Sequence, residues 1–250
     1  MTDQPPGPGT RLDDQAEFAT GVNRMFDRIA GVYDRMNRAM TMGLDVRWRE
    51  RAADRTELGP GDRALDVCCG TGDLALELKR RVGGSGRVVG VDFSSRMLDL
   101  ARDKSRREGV TVAYEHGNAL ELAHPDQSFD AATVGFGVRN LADLRGGIRE
   151  MARVVRTGGR VVVLEITTPM RPPLSWFYAV WFDRLVPLLG AVAGDREAYS
   201  YLPDSVRRFP PARDLADIMR DAGLTEIRYL ILAGGIIAIH AGTVPRGEGT

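Results

Sequence analysis

Between residues 64 and 166, short β-branched apolar runs alternate with stretches whose apolar positions recur every three or four residues. The first pattern reads as buried strand and the second as amphipathic helix. Strands are predicted over Ala64–Cys68, Arg87–Asp92, Val110–Glu115, Phe129–Gly135 and Arg160–Ile166. Helices are predicted over Asp73–Val82, Ser95–Glu108 and Leu141–Val155, with a Gly158-Gly159 turn before the fifth strand. Such alternation builds a parallel sheet with helices on both faces. The last section breaks the rule. A helix over Ala212–Ala222, with Gly223 at its C-cap, precedes two strands, Glu226–Leu232 and Ile236–Ala241, joined by little more than Gly234-Gly235. So short a link permits only a hairpin, hence an antiparallel final strand. The fold class is therefore α/β: a mostly parallel seven-stranded sheet closed by an antiparallel C-terminal hairpin.

Before the first strand the pattern predicts two helices, Phe18 to about Met42 and Arg47 to Leu58, the second stopped by Gly59-Pro60-Gly61. Residues 1–15 and 244–250 read as disordered tails around one domain over 16–243. Within that domain, 16–60 holds the N-terminal helices and 168–211 is a helical insertion that the sheet does not need. The insertion contains an apolar stretch over 172–189 with Trp176, Phe177, Tyr178, Trp181 and Phe182. Asp183, Arg184 and Pro187 interrupt it, so it falls short of the roughly twenty clean residues of a membrane span. It reads as a greasy lid suited to a large apolar substrate.

The chemistry centres on Leu65-Asp66-Val67-Cys68-Cys69-Gly70-Thr71-Gly72-Asp73-Leu74. Strand, glycine turn and helix start coincide there, which makes a ligand cradle at the carboxyl end of a parallel strand. Two ligands suit it. Gly70-x-Gly72-x-x-Ala75 satisfies the dinucleotide fingerprint, and Asp92 lies twenty residues past Gly72, as a ribose-binding acid should. A nicotinamide-dependent oxidoreductase is thus one reading. The same arrangement describes the class I S-adenosylmethionine-dependent methyltransferases, whose Rossmann-like sheet ends in a hairpin as this one does. The hairpin favours S-adenosylmethionine. Gly70, Thr71 and Gly72 would pack against its methionine part, Asp66 would lie near its ammonium group, and Asp92 would accept both ribose hydroxyls.

Composition narrows the partners. Lys plus Arg and Asp plus Glu both number 34, so no net charge calls for nucleic acid. Cys68 and Cys69 are adjacent, and neighbours in an extended chain point to opposite faces. They read as packed thiols. With three scattered histidines they suggest no metal site. The N-terminus has no apolar signal region, which predicts a cytoplasmic protein.

Several segments outside the glycine loop carry a more specific resemblance. Tyr33-Asp34-Arg35-Met36-Asn37 with Trp48, and Arg153-Val154-Val155-Arg156-Thr157-Gly158-Gly159-Arg160 running into Leu164-Glu165, resemble the two signatures of the ubiquinone/menaquinone-biosynthesis C-methyltransferases. Phe136-Gly137-Val138-Arg139-Asn140 is similar to that family's segment after the fourth strand, and Glu197-Ala198-Tyr199-Ser200-Tyr201-Leu202 to its lid. The likeness spans about residues 18–243. It departs at Asp45, where the family has histidine, at Gly135, where some members have serine, at Arg156-Thr157 in place of Lys-Pro, and at Thr167 in place of serine.

The resemblance implies methyl transfer from S-adenosylmethionine to a ring carbon of a polyprenylated quinol. Demethylmenaquinol, giving menaquinol, is the first candidate, and the benzoquinol of the ubiquinone pathway the alternative. It also implies Asn118 and Ala119 at the adenine. A phenol of pKa about 10 is almost wholly neutral at pH 7, so an anion stabiliser is wanted. Arg139 is the candidate, with Asn140 positioning it or the cofactor, Tyr33 as a further catalytic candidate, and Tyr199 and Tyr201 as reserves. A surface pair of Arg139 with Asp143 is the bland alternative. Such a lipid substrate implies transient contact with the inner face of a membrane, through the 172–189 lid. A reading from a different class is a non-catalytic assembly protein on the same fold.

Overall fold

In the computed structural model, which describes residues 12–168 and 196–246, helices α1 (Leu12–Met40) and α2 (Leu44–Asp54) lead into the sheet. There follow β1 (Arg63–Val67), α3 (Asp73–Val82), β2 (Arg87–Asp92), α4 (Ser95–Glu108), β3 (Ala113–His116) and β4 (Phe129–Gly135). A short 3-10 turn, Val138–Asn140, precedes α5 (Leu144–Val154), and β5 (Val155–Ile166) completes the parallel part. Beyond it come α6 (Arg196–Arg208), α7 (Ala212–Asp221), β6 (Thr225–Leu232) and β7 (Ile237–Thr243). The strand order is β3-β2-β1-β4-β5-β7-β6. The strands β3, β2, β1, β4 and β5 pair in parallel, and β7 runs antiparallel to both β5 and β6. The predicted fold class is the one observed.

Both faces of the sheet are apolar because both are covered. On one, Leu65, Val89, Val134 and Val163 pack with Ile148 and Met151 of α5 and Leu215 and Met219 of α7. On the other, Ala64 and Val88 meet Leu78 and Val82 of α3, while Val162, Ile237 and Ile239 meet Trp48 and Ala52 of α2. Leu65, Leu78 and Ile148 are wholly buried, each such burial contributing roughly 1.5–3 kcal/mol.

Several boundaries shift for identifiable reasons. The third strand begins at Ala113, not Val110, because Gly109 ends α4 in the left-handed conformation and the Val110 N–H returns to the Ser105 carbonyl at 3.1 Å. The helix after β4 starts at Leu144, not Leu141, because the Asp143 carboxylate caps it by accepting from the Gly146 N–H at 2.9 Å. The Gly158-Gly159 pair does not precede the fifth strand but bulges within it, between the Phe129↔Val155 and Ala131↔Arg160 pairings. Val244, expected in the C-terminal tail, exchanges backbone hydrogen bonds with Gly158 and Gly159 at 2.8 and 2.9 Å. Helix α1 starts at Leu12, inside the expected N-terminal tail. The rest of that tail, the apolar stretch 172–189 and residues 247–250 lie outside the described residues. Among the described residues no helix is long and apolar enough to cross a membrane.

Candidate active site

The chain leaves β1 through a strained turn. Cys68 has φ 54°, Gly70 φ 53° and Gly72 φ 84°. The two glycines do different work. A Cβ on Gly70 would meet nothing within 4 Å, so that face of the backbone is open. A Cβ on Gly72 would sit 2.4 Å from the Tyr114 hydroxyl, so Gly72 is required by the side chain beneath it. Thr71 also turns away. Its hydroxyl donates to Asp34 Oδ1 at 2.6 Å, and Lys104 Nζ donates to Asp34 Oδ2 at 2.7 Å and to Asp73. Of the three loop residues expected at the cofactor, only Gly70 lines the cavity described below; Thr71 fastens α1 to the loop.

Asp92 ends β2 and is 7 % exposed. Its Oδ2 accepts the Gly70 N–H at 2.8 Å and its Oδ1 the Ser94 N–H at 2.9 Å, so one carboxylate ties the loop after β1 to the loop after β2. Burial raises its pKa and the backbone donors work against that rise. Asp66, also expected at the cofactor, is 1 % exposed and does not line the cavity described below. Thr133 Oγ1 donates to its Oδ1 at 2.7 Å, while Oδ2 has no hydrogen-bond partner among the described residues. Its pKa is pushed up to about 7, chiefly by burial, with the Thr133 hydrogen bond and the Arg49 charge pulling the other way.

A cavity of about 430 Å³ opens at the carboxyl ends of β1, β2 and β4. Gly70, Asp92, Asn118 and Ala119, all expected at the cofactor, line it. Asn118 Oδ1 accepts the Leu120 N–H at 3.0 Å, which leaves its amide N–H groups for a ligand. Tyr33, Asn140 and Phe136 line it as well. Phe93, Met97, His116 and Phe26 also line the cavity and were not anticipated. One signal was available for Phe26: it precedes Tyr33 by two helical turns, and the rings meet edge to face with centroids 5.9 Å apart.

Arg139 does not line the cavity. Its guanidinium Nη1 donates to Glu165 Oε1 and to the Phe136 carbonyl, both at 2.6 Å, in an ion pair whose side chains are 7 % and 1 % exposed. The surface pair with Asp143 is not formed, since that carboxylate caps α5. Asn140 Oδ1 accepts the Tyr201 hydroxyl of α6 at 3.1 Å. Burial raises the Tyr33 pKa against the lowering fields of Arg139 and Arg49, so the phenol is a neutral donor near pH 7. At the departures from the family pattern, Asp45 is buried and accepts from Thr41 Oγ1 at 2.9 Å and from Arg49. Gly135 has Leu74 only 3.1 Å from a built Cβ, so a serine there would need Leu74 to give way. The Tyr199 side chain lies outside the described residues.

These groups fit an adenosyl sulfonium cofactor. Each Asp92 oxygen accepts one backbone N–H and keeps a lone pair for one of two vicinal hydroxyls. The open side of Gly70 admits close approach, and Phe93 and Met97 offer apolar surface to a base.

The model of the ubiE/COQ5 methyltransferase family matches residues 10–244. The demethylmenaquinone methyltransferase of Desulfitobacterium hafniense (strain Y51) is 45% identical over 231 residues, 91% of either chain. That of Thermus thermophilus is 44% identical, over 88% of this chain and 100% of its own. A Geobacter sp. (strain M21) protein named ubiquinone/menaquinone biosynthesis C-methyltransferase UbiE is 39% identical, over 91% and 98%. Among solved structures, an S-adenosylmethionine-dependent methyltransferase from Aquifex aeolicus superposes with TM-score 0.58 at 19% identity, over 78% of this chain and 89% of that one. The [4+2]-cyclase SpnF does so with TM-score 0.63 at 22% identity, over 81% of each. At such identities the structural likeness speaks for the fold alone.

Proposed function

The chain belongs to the ubiE/COQ5 methyltransferase family, and on that premise we propose that it methylates a ring carbon of demethylmenaquinol, giving menaquinol, with S-adenosylmethionine as methyl donor. Membership replaces the two other readings of the sequence, a nicotinamide oxidoreductase and a non-catalytic assembly protein. Relatives at 40–45% identity over most of the chain bear the name of that reaction. The observation that carries the reading is that Gly70, Asp92, Asn118 and Ala119 line the same cavity as Tyr33 and Asn140.

When bound, the cofactor supplies an electrophilic methyl group on a sulfonium. Asp92, Asn118 and Ala119 would hold its adenosine, Gly70 would pack against its methionine part, and the Asp66 charge would favour its amino group. The quinol oxygen gains negative charge as its ring carbon becomes nucleophilic. Tyr33, held protonated by burial, donates a hydrogen bond to that oxygen. The Asn140 amide does the same, because its own oxygen is already committed to Tyr201. Donors fixed in advance at a developing anion stabilise the transition state more than the ground state. Arg139 holds the Phe136–Asn140 segment to β5 through Glu165 and lends positive potential to Tyr33. It is a positioning residue. Each methyl gained releases one proton to water.

The test is incubation with methyl-labelled S-adenosylmethionine and reduced acceptors. Label entering demethylmenaquinol is the expected result. Label entering only the benzoquinol precursor of ubiquinone, or no acceptor at all, would overturn the reading.

A further inference from the structure

Five large apolar side chains of the described residues are well exposed, and three of them fall within five positions: Met42 at 82 %, Leu44 at 37 % and Val46 at 38 %. They crown the corner between α1 and α2. The corner is built to present them. Met42 holds φ 52°, a left-handed conformation that a non-glycine residue adopts at a cost. The turn around it is fastened by Thr41 N–H to the Asn37 carbonyl (3.0 Å), Gly43 N–H to the Arg38 carbonyl (2.9 Å) and the Thr41 hydroxyl to Asp45 (2.9 Å). Asp45 and Trp48 take the inward positions, so Leu44 and Val46 point out. Around this apolar crown stand the exposed Arg35, Arg38 and Arg47, none with an ion pair among the described residues. The exposed acid nearest in sequence, Glu50, lies a turn further down α2.

The corner is joined to the cavity by a greasy path. Tyr33, which lines the cavity, is followed on the same helical face by Met36 and Met40, and all three belong to one apolar cluster with Ile236. At 1.5 Å per residue, Met40 lies about 10 Å beyond Tyr33 along α1, and Met42 caps the end of that run.

Apolar side chains ringed by cations match a bilayer surface whose headgroups are anionic and whose interior is hydrocarbon. We propose that the α1–α2 corner is the membrane-docking surface of this enzyme. Met42, Leu44 and Val46 enter the headgroup layer, and Arg35, Arg38 and Arg47 meet lipid phosphates. The cavity then faces the bilayer, and the polyprenyl tail of the acceptor runs along Tyr33, Met36 and Met40. This rests on the quinol reading for its purpose, but not for its measurement.

The full-length protein is sedimented with large vesicles of phosphatidylcholine containing about 30 % phosphatidylglycerol, and with phosphatidylcholine alone, neither holding quinol. The wild type should partition into the anionic vesicles at least about tenfold more strongly. Met42→Asn with Leu44→Ser should lose about tenfold of that binding, as should Arg38→Gln with Arg47→Gln. Both double variants should methylate a tail-less acceptor in solution at the wild-type rate and lose activity only on the long-tailed quinol in vesicles. Asparagine tolerates the left-handed position, and circular dichroism checks the fold. Wild-type protein that stays in the supernatant, or variants that bind as well as wild type, would overturn the proposal. So would a wild-type dimer in sedimentation velocity that the Met42/Leu44 variant dissolves, since the crown would then cover a second copy of the chain. Protein that binds vesicles but methylates no quinol supports the docking surface and sinks the reaction instead.

Discussion

Replacing Asp92 by asparagine keeps shape and volume, yet the structure argues that it fails. Both carboxylate oxygens accept backbone N–H groups, Gly70 at 2.8 Å and Ser94 at 2.9 Å. An amide offers one oxygen and one NH₂, so whichever way it is turned a donor faces a donor. A hydrogen bond to a charged group contributes about 1.5–3 kcal/mol, and an unsatisfied buried donor costs about 1–3. Part is offset, because burial disfavours the charged form here and a neutral amide escapes that cost. The net loss is about 1–3 kcal/mol, which in a chain of this length lowers Tm by roughly 3–10 °C. Cofactor affinity should suffer more, since one of the two oxygens left for the ribose is gone: at least about tenfold, at ~1.4 kcal/mol per decade. Asp92→Ala, which leaves the two N–H groups unpaired but unopposed, should be no less stable than Asp92→Asn. Thermal melts and calorimetry with S-adenosylhomocysteine measure both quantities. An Asp92→Asn protein that melts with the wild type and binds the ligand equally well would refute the two-acceptor account.

Gly72→Ala should destabilise by about 2 kcal/mol or more, from the left-handed backbone and the Tyr114 hydroxyl 2.4 Å from the new methyl; in thermal melts Tyr114→Phe should restore part of the loss. Asp66 has its pKa raised from 3.8 to about 7, so the protonated acid supports the fold fully below pH 3.8 and that support is lost as pH rises through 7. A ligand ammonium favours the ionised form, so S-adenosylhomocysteine affinity should fall about tenfold per unit below pH 7 and level off above it, and calorimetry on Asp66→Asn should find that slope absent. Tyr33→Phe and Asn140→Ala should each lower kcat by about 10–100-fold in the labelled-methyl assay without changing the cofactor Kd. Arg139→Met leaves Glu165 buried without its partner and should cost about 3–5 kcal/mol in denaturant unfolding, most of it regained when Glu165 is also replaced by leucine.

The sheet was legible because strand and helix periods are local properties of the chain. The hairpin was legible because two glycines cannot span a crossover. What escaped depended on partners distant in sequence. Arg139 was placed in the site by type and position, but its partner, Glu165, lies 26 residues on, on the neighbouring strand β5. Gly72 and Gly70 look alike in a motif, and only Tyr114 beneath one of them separates their roles. Thr71 sits between two glycines and reads as a ligand contact, yet Asp34 draws it toward α1. Asp34 itself belongs to a signature whose mechanical part, fastening a helix over the glycine loop, no local pattern states.

Strand β7 lies between β5 and β6, with seven registered pairs to β5. Among the described strands it is also the last to be made. While the chain is on the ribosome, β5 offers an open edge and β6 has nothing to pair with until residues 237–243 emerge. The parallel half can be formed and still be unsealed. An exposed edge of this kind invites pairing with another chain, so nascent protein is vulnerable until residues 237–243 have been made. A stop codon ahead of residue 237 should therefore send the product to aggregation or proteolysis, although every residue that lines the cavity would already be present.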